Sequence, residues 1–238
     1  MITLRSALFN LWFFTVTFFI TLLAALTRMI APRHVLSVAM VWARIMVVAV
    51  RIICGIRLEV SGLQHIPPGA ALIASRHQSA FDTLVWLTLL PRCCYVVKRE
   101  LLRIPLFGPL MISAGMIAVD RSAGGSAVRA LLRQGENAVR EQRQIVIFPE
   151  GTRAAPGNIG ELQPGIAALA ARTGLPVIPV ATDSGRCWGR RAFRKRPGVI
   201  RIMVGPPISA ASGRVELMRS LRSSMGRLDH STKPTDSV

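Results

Sequence analysis

Between residues 6 and 27 the chain reads SALFNLWFFTVTFFITLLAALT, just over twenty residues without a charge. At about 1.5 Å of rise per residue, a helix of that length reaches across the hydrocarbon core of a bilayer. The stretch is too long for the apolar region of a secretory signal, and no small-x-small cleavage site precedes the next apolar stretch, so it is expected to stay on the protein as a membrane anchor. A second apolar stretch, 35–56, carries Arg44 and Arg51 seven residues apart, hence on one helical face. Each arginine near a bilayer centre costs roughly 2.5–3.5 kcal/mol. An interfacial or hairpin-paired helix is therefore expected rather than a simple lipid-exposed span.

Charge narrows the partners. The 238 residues hold 30 Lys and Arg against 12 Asp and Glu, a net +18. The first acid is Glu59, and Arg5, Arg28, Arg33, Arg44, Arg51 and Arg57 all precede it. This one-sign segment suits anionic membrane lipids. The positive-inside rule puts the basic junction at Arg28 and Arg33, with the body after it, on the cytoplasmic face of a cell inner membrane. From 186 to 201 a second run, with Arg186, Arg190, Arg191, Arg194, Lys195, Arg196 and Arg201, contains no acid. It is expected to dock anionic lipid or an acidic carrier protein. Nucleic acid is the rival anion, but aromatic residues make up only 6% of the chain and no nucleic-acid module is visible. A 51% hydrophobic share excludes a disordered chain. The four cysteines lack metal-binding spacing and are expected to be reduced, with no metal site.

After residue 57, short apolar runs alternate with helical patterns. Strands are expected at 58–60, 70–75, 93–97, 116–119, 144–148, 177–181 and 199–204, and helices at 79–90, 125–143, 165–173 and 214–227. Such alternation predicts an α/β fold, a mostly parallel central sheet flanked by helices and preceded by the N-terminal membrane-anchoring helices. The chain divides on this reading into the membrane segment 1–57, a body 58–227 expected to fold without it, and a polar tail 228–238.

Two segments could carry chemistry. The strand ending at Ser75 runs into Arg76-His77-Gln78-Ser79-Ala80-Phe81-Asp82 and then an apolar helix. Asp82 could fix the tautomer of His77, leaving the other ring nitrogen to take a proton from a hydroxyl. Ser79-x-x-Asp82 equally fits a capping-box variant, in which Asp82 serves only the helix start. The second segment is Ile147-Phe148-Pro149-Glu150-Gly151-Thr152-Arg153, an apolar strand that stops at proline and opens into a turn. There Gly151 permits close backbone approach and Arg153 offers a planar fork suited to phosphate, although a plain strand-end turn with a solvated arginine reads equally well.

Together the segments resemble the glycerolipid acyltransferase family, which includes the 1-acylglycerol-3-phosphate acyltransferases. The carriers of the resemblance are His77 with four residues before Asp82, followed by Phe148 to Arg153, with two further blocks in order, 115–121 ending at Arg121 and Val177-Ile178-Pro179-Val180. The stretch Lys98-Arg99-Glu100-Leu101 with Ile104-Pro105 and Gly108 is also similar to the family's. Three positions depart from the family pattern: Arg76 stands where Asn is frequent, Ala154 where Ser is, and Gln163 where a basic residue is. The resemblance implies a membrane-bound O-acyltransferase without a cofactor. His77 would be the base and Asp82 its support; Lys98, Arg121 and Arg153 would meet the acceptor phosphate, with Glu150, Gly151 and Thr152 shaping the site. Acyl-CoA or acyl carrier protein thioester would be the donor, and a lysophospholipid, expected to be 1-acylglycerol-3-phosphate, the acceptor. Lyso-ornithine lipid is an alternative acceptor, and a noncatalytic lipid-binding protein is the alternative of a different class.

Overall fold

The computed structural model describes residues 1–120 and 123–231. Helix α1 (Ile2–Ile30) and helix α2 (Val35–Cys54) form an antiparallel hairpin through a single turn at Pro32–His34. Trp42 Nε1 donates to Thr17 Oγ1 at 3.0 Å and Arg5 Nε to the Ile53 carbonyl at 2.6 Å, which fixes the register. Both ends of α1 also touch the body. The Phe9 ring meets Trp188 edge-on at 5.4 Å, Ala24 packs with Leu110 and Ala114, and Arg28 Nε reaches Ser113 Oγ at 3.2 Å. The hairpin thus lies along the body instead of projecting from it, as the pairing of α2 anticipates, and Arg44 and Arg51 sit on its exposed side. The outer face of α1 leaves Leu8, Phe14, Phe18 and Leu22 open. An apolar band of this size is covered by lipid, not water, so the protein is membrane-associated.

Seven strands make one sheet: β1 (Ile56–Ser61), β2 (Ala71–Ser75), β3 (Cys93–Lys98), β4 (Ile117–Val119), β5 (Gln144–Ile147), β6 (Val177–Thr182) and β7 (Gly198–Val204). Their order is β1-β7-β6-β2-β5-β3-β4, and every pair is parallel except β6 with β7. All the expected strands are present, displaced by at most two residues. The central three, β2, β5 and β6, are buried at every position, the pattern of parallel strands covered on both faces.

Alternation along β2 divides the core. Ile73 faces a cluster with α3 (Asp82–Leu89) and the hairpin, in which Phe9, Met46 and Val50 join Trp86, Val146 and Ile178. Leu72 and Ala74 face a second cluster with α5 (Gly125–Arg140), α6 (Gly165–Thr173) and α8 (Arg214–Ser231). Residue 57 is therefore no packing boundary. Removing 1–57 would open the first cluster to water.

Other differences have local causes. Helix α5 stops at Arg140 instead of 143 because Gln142 turns left-handed, at φ 55°, and Arg143 folds inward to donate to the Cys93 and Ala114 carbonyls at 3.0 and 2.6 Å. Helix α4 (Phe107–Ser113) was not anticipated from its Gly- and Pro-containing sequence; a Cβ on Gly108 would lie 1.9 Å from the Leu102 carbonyl oxygen, so only glycine lets this helix seat. A short α7 (Ser184–Cys187) follows β6, and α8 runs to Ser231, past the expected tail boundary at 228. The four cysteines are free and buried.

Candidate active site

β5, β2 and β6 are neighbours in the sheet although far apart in sequence, and the loops leaving their C-terminal ends meet. After β2, the chain turns back on the carboxylate of Asp82, the first residue of α3. Its Oδ2 accepts from the Gln78 and Ser79 amides at 2.7 and 2.8 Å and from His77 Nδ1 at 3.1 Å. Its Oδ1 accepts from Ser184 Oγ at 2.6 Å, at the start of α7 after β6. The two readings of Asp82 are therefore one arrangement, because the carboxylate that holds the helix start also holds the imidazole. A carboxylate can only accept, so Nδ1 carries the ring proton, and in the neutral imidazole Nε2 presents its lone pair. The ring stacks on Phe148, centroids 4.2 Å apart, and Phe148 in turn lies over Tyr95, whose hydroxyl donates to the Thr83 carbonyl at 2.9 Å.

The loop after β5 backs this junction. Glu150 Oε2 accepts from the His77 amide at 3.1 Å, and its Oε1 lies 3.2 Å from Arg76 Nε. Arg76 is fully buried, with Nη1 2.9 Å from Asp229 of α8 and Nη2 donating to the Asn158 carbonyl. Burial pushes the Glu150 carboxyl up, and the Arg76 guanidinium and the His77 amide pull it back. Arg76, one of the departures from the family pattern, thus ties the residue before the histidine to the C-terminal helix. Gly151 adopts φ 69°, a left-handed turn open to glycine, and its amide closes that turn on the Phe148 carbonyl at 3.0 Å. Ala154 N donates to the His77 carbonyl at 2.8 Å, which brings the Thr152–Arg153 turn against the histidine.

In front of His77 lies a cavity of about 560 Å³. Thr17, Ala24, Trp42, Leu110 and Met111 from the hairpin and α4 line its apolar part, and His77, Lys98, Gly151, Thr152 and Arg153 line the part next to the sheet, with Arg190 and Arg191. The structure therefore brings together every expected site residue except Arg121, which falls outside the described residues, and Glu150, whose carboxylate is turned inward onto Arg76 and His77. Among the described residues no cluster of His, Cys, Asp and Glu could hold a metal ion. A family model described as acyltransferase matches residues 57–183, more than half of the chain, and that interval holds the His77–Asp82 junction and the Glu150–Arg153 turn.

The chain belongs to the acyltransferase family. It is 38% identical over 169 residues to a 1-acyl-sn-glycerol-3-phosphate acyltransferase of Pseudomonas aeruginosa, a match that covers 71% of this chain and 66%, just under two thirds, of that protein. It is 30% identical over 209 residues to 1-acyl-sn-glycerol-3-phosphate acyltransferase alpha of Homo sapiens, covering 86% of this chain and 71% of the relative. The crystal structure of a Thermotoga maritima 1-acyl-sn-glycerophosphate acyltransferase superposes over 100% of both chains with a TM-score of 0.79 at 22% identity, so the two share a fold.

Two residues of this acyltransferase site escape a reading of the sequence. Ser184 reaches Asp82 from 102 positions away, and no spacing rule connects them. Asp229 stands in the segment read as a polar tail. A chemical signal did exist for its partner, since an arginine that directly follows a buried strand needs a carboxylate.

Proposed function

We propose that this acyltransferase moves a fatty acyl group from a thioester to the free hydroxyl of 1-acylglycerol-3-phosphate, forming phosphatidic acid. The observation that carries the reading is the imidazole whose Nδ1 is held by Asp82 and whose ring lines an apolar cavity edged with cations that have no ion-pair partner among the described residues. The Nε2 lone pair would take the hydroxyl proton as the oxygen attacks the thioester carbonyl carbon. The C–S bond then breaks, and the imidazolium returns its proton to the departing thiolate. Asp82 supports the transient imidazolium by charge, as a carboxylate does in hydrolase triads. No enzyme nucleophile, metal or cofactor enters these steps.

Arg153 and Lys98 would meet the acceptor phosphate, Arg153 as a bidentate fork. Thr152 sits in the same turn, where it shapes the approach to His77. The apolar part of the cavity, between the hairpin and α4, suits an acyl chain, and its walls belong to the elements that meet lipid. A substrate could then pass from the bilayer to His77 without crossing water. The basic junction at Arg28 and Arg33 supports a cytoplasmic-face placement on a cell inner membrane.

The test is to incubate the purified protein with labelled acyl-CoA or acyl carrier protein and a panel of lyso-lipids, and to identify the products. Labelled phosphatidic acid, formed from 1-acylglycerol-3-phosphate in preference to lyso-ornithine lipid and other acceptors, is expected. Transfer to another lyso-lipid alone would overturn the acceptor assignment, and binding without transfer would overturn the enzyme.

A further inference from the structure

The acid-free run from 186 to 201 does not form one surface. Arg201 is paired, 3.5 Å from Glu59 and 3.8 Å from Asp183. Lys195 is buried, its Nζ 5.0 Å from the centroid of Trp188 and 5.5 Å from that of Phe9, with donation to the Phe193 carbonyl at 3.1 Å and to Asn10 Oδ1. Desolvation lowers its pKa. Only part of the run is left for anions, and two of its members, Arg190 and Arg191, line the cavity that holds His77.

The segment that presents these two arginines is fixed at both ends. The Arg196 amide donates to the Cys187 carbonyl at 2.8 Å, the Lys195 amide to Ser6 Oγ of α1 at 2.9 Å, and the Ala192 amide to the Gly189 carbonyl at 3.1 Å. Arg191 itself is held left-handed at φ 55°, a conformation that costs a non-glycine residue energy and persists only where the surroundings impose it. Neither Arg190 nor Arg191 has an ion-pair partner among the described residues, and no acid lines the cavity. Two unneutralised guanidinium groups lining one cavity repel one another, and a bound polyanion relieves that.

The reaction proposed above brings two anions into this cavity at once. The acceptor's phosphate lies a few bonds from the attacking hydroxyl and so belongs beside His77, where the Arg153 turn is bonded to the histidine's own backbone. A thioester donor built on a pantetheine arm carries its phosphate at the far end of that arm, whether coenzyme A or a carrier protein bears it. Two like-charged groups need separate cation sets, and the second set here lines the same cavity from a different segment, a loop tied to α1. We propose that Arg190 and Arg191 form a second phosphate subsite, which takes the phosphate of the acyl donor's pantetheine arm. The inference rests on the acyltransferase reading above.

The experiment compares two donors on the full-length protein in detergent micelles: acyl-CoA, and the same acyl group on pantetheine, which has the thioester but no phosphate. Wild type is expected to favour acyl-CoA in kcat/KM, and Arg190→Ala/Arg191→Ala to erase about ten- to a hundredfold of that preference, the range of one or two charge-assisted hydrogen bonds. Use of acyl-pantetheine and the KM for 1-acylglycerol-3-phosphate should hardly move, which a merely misfolded loop would not allow. Arg153→Ala should do the reverse, raising acceptor KM while keeping the donor preference. An equal loss with both donors, or a rise in acceptor KM alone, overturns the subsite. So does reduced sedimentation with anionic vesicles while the donor preference persists, which assigns these arginines to the membrane. Failure of wild type to transfer from either donor defeats the acyltransferase reading instead, independently of the variant.

Discussion

At the C-terminal edge of the sheet, buried acids and exposed bases are treated in opposite ways. Asp82 and Glu150 are almost completely buried, and all four of their carboxylate oxygens have partners within the protein. Lys98, Arg153, Arg190 and Arg191 line the cavity and have no acid facing them there. A buried charge must be satisfied by the fold itself, because an unpaired one costs several kcal/mol. A charge at a cavity wall keeps its water and can exchange it for a ligand. The acids therefore hold the machinery in place and the bases remain available, so substitutions in the two sets should fail differently.

The largest effect is expected at His77, which is bonded to both acids and lines the cavity beside the bases. His77→Ala removes the base but keeps the backbone bonds to Glu150 and Ala154, so the protein should stay folded while turnover falls about 100- to 10,000-fold. Asp82→Asn should lose less, since an amide oxygen can still accept from the Gln78 and Ser79 amides while the charge opposite the imidazolium is gone. Acyl-transfer rates together with thermal midpoints separate chemistry from unfolding, and near wild-type turnover in folded His77→Ala would defeat the mechanism.

Among the available cations, Arg153→Lys should raise acceptor KM about tenfold without changing stability, because an ammonium cannot supply two parallel hydrogen bonds to one phosphate. A defect seen only in donor dependence would erase the distinction between the Arg153 and Arg190–Arg191 subsites.

Ser184→Ala tests the saturated side more gently. It leaves Asp82 Oδ1 without its donor, which should lower stability by about 1–3 kcal/mol and turnover several-fold, and shift the acidic limb of the pH–rate profile. Ser184→Thr keeps the hydroxyl and should restore that limb. If alanine changes the melting temperature but leaves the pH profile untouched, Ser184 is only packing.

The smallest effect concerns Glu150. Its carboxyl is raised in the folded protein by burial, so between the ordinary glutamate range and the raised value the folded chain holds a proton that the unfolded chain has released. Stability contributed by that proton is present at lower pH and lost as pH climbs through the window. Glu150→Gln should lower overall stability by weakening the Arg76 pair while flattening the slope there. An unchanged slope in thermal midpoint against pH would mean that Glu150 titrates as an exposed acid does.

Much of this molecule is legible in its residues because the relevant physics is local. The uncharged stretch 6–27 specifies a long apolar helix, the runs around Ala71–Ser75, Gln144–Ile147 and Val177–Thr182 are too uniformly apolar for anything but covered parallel strands, and His77 and Asp82 are close enough in sequence for one turn to join them. Phe107–Ser113 escaped because its reason to be helical is a seat against Leu102, supplied by another segment.

What tertiary structure alone decided depends on pairs remote in sequence. The order β6-β2-β5 brings Ser184 and Glu150 to either side of the histidine loop, and α8 brings Asp229 to Arg76. Packing of the hairpin along the body made one core of what composition divides at residue 57. The basic run shows the limit most plainly: charge composition carries the sign of its partner, but which arginines are neutralised, buried or left facing the cavity is set by the acids and aromatic rings that the fold places beside them, because Coulomb and desolvation energies follow distance in space and not separation along the chain.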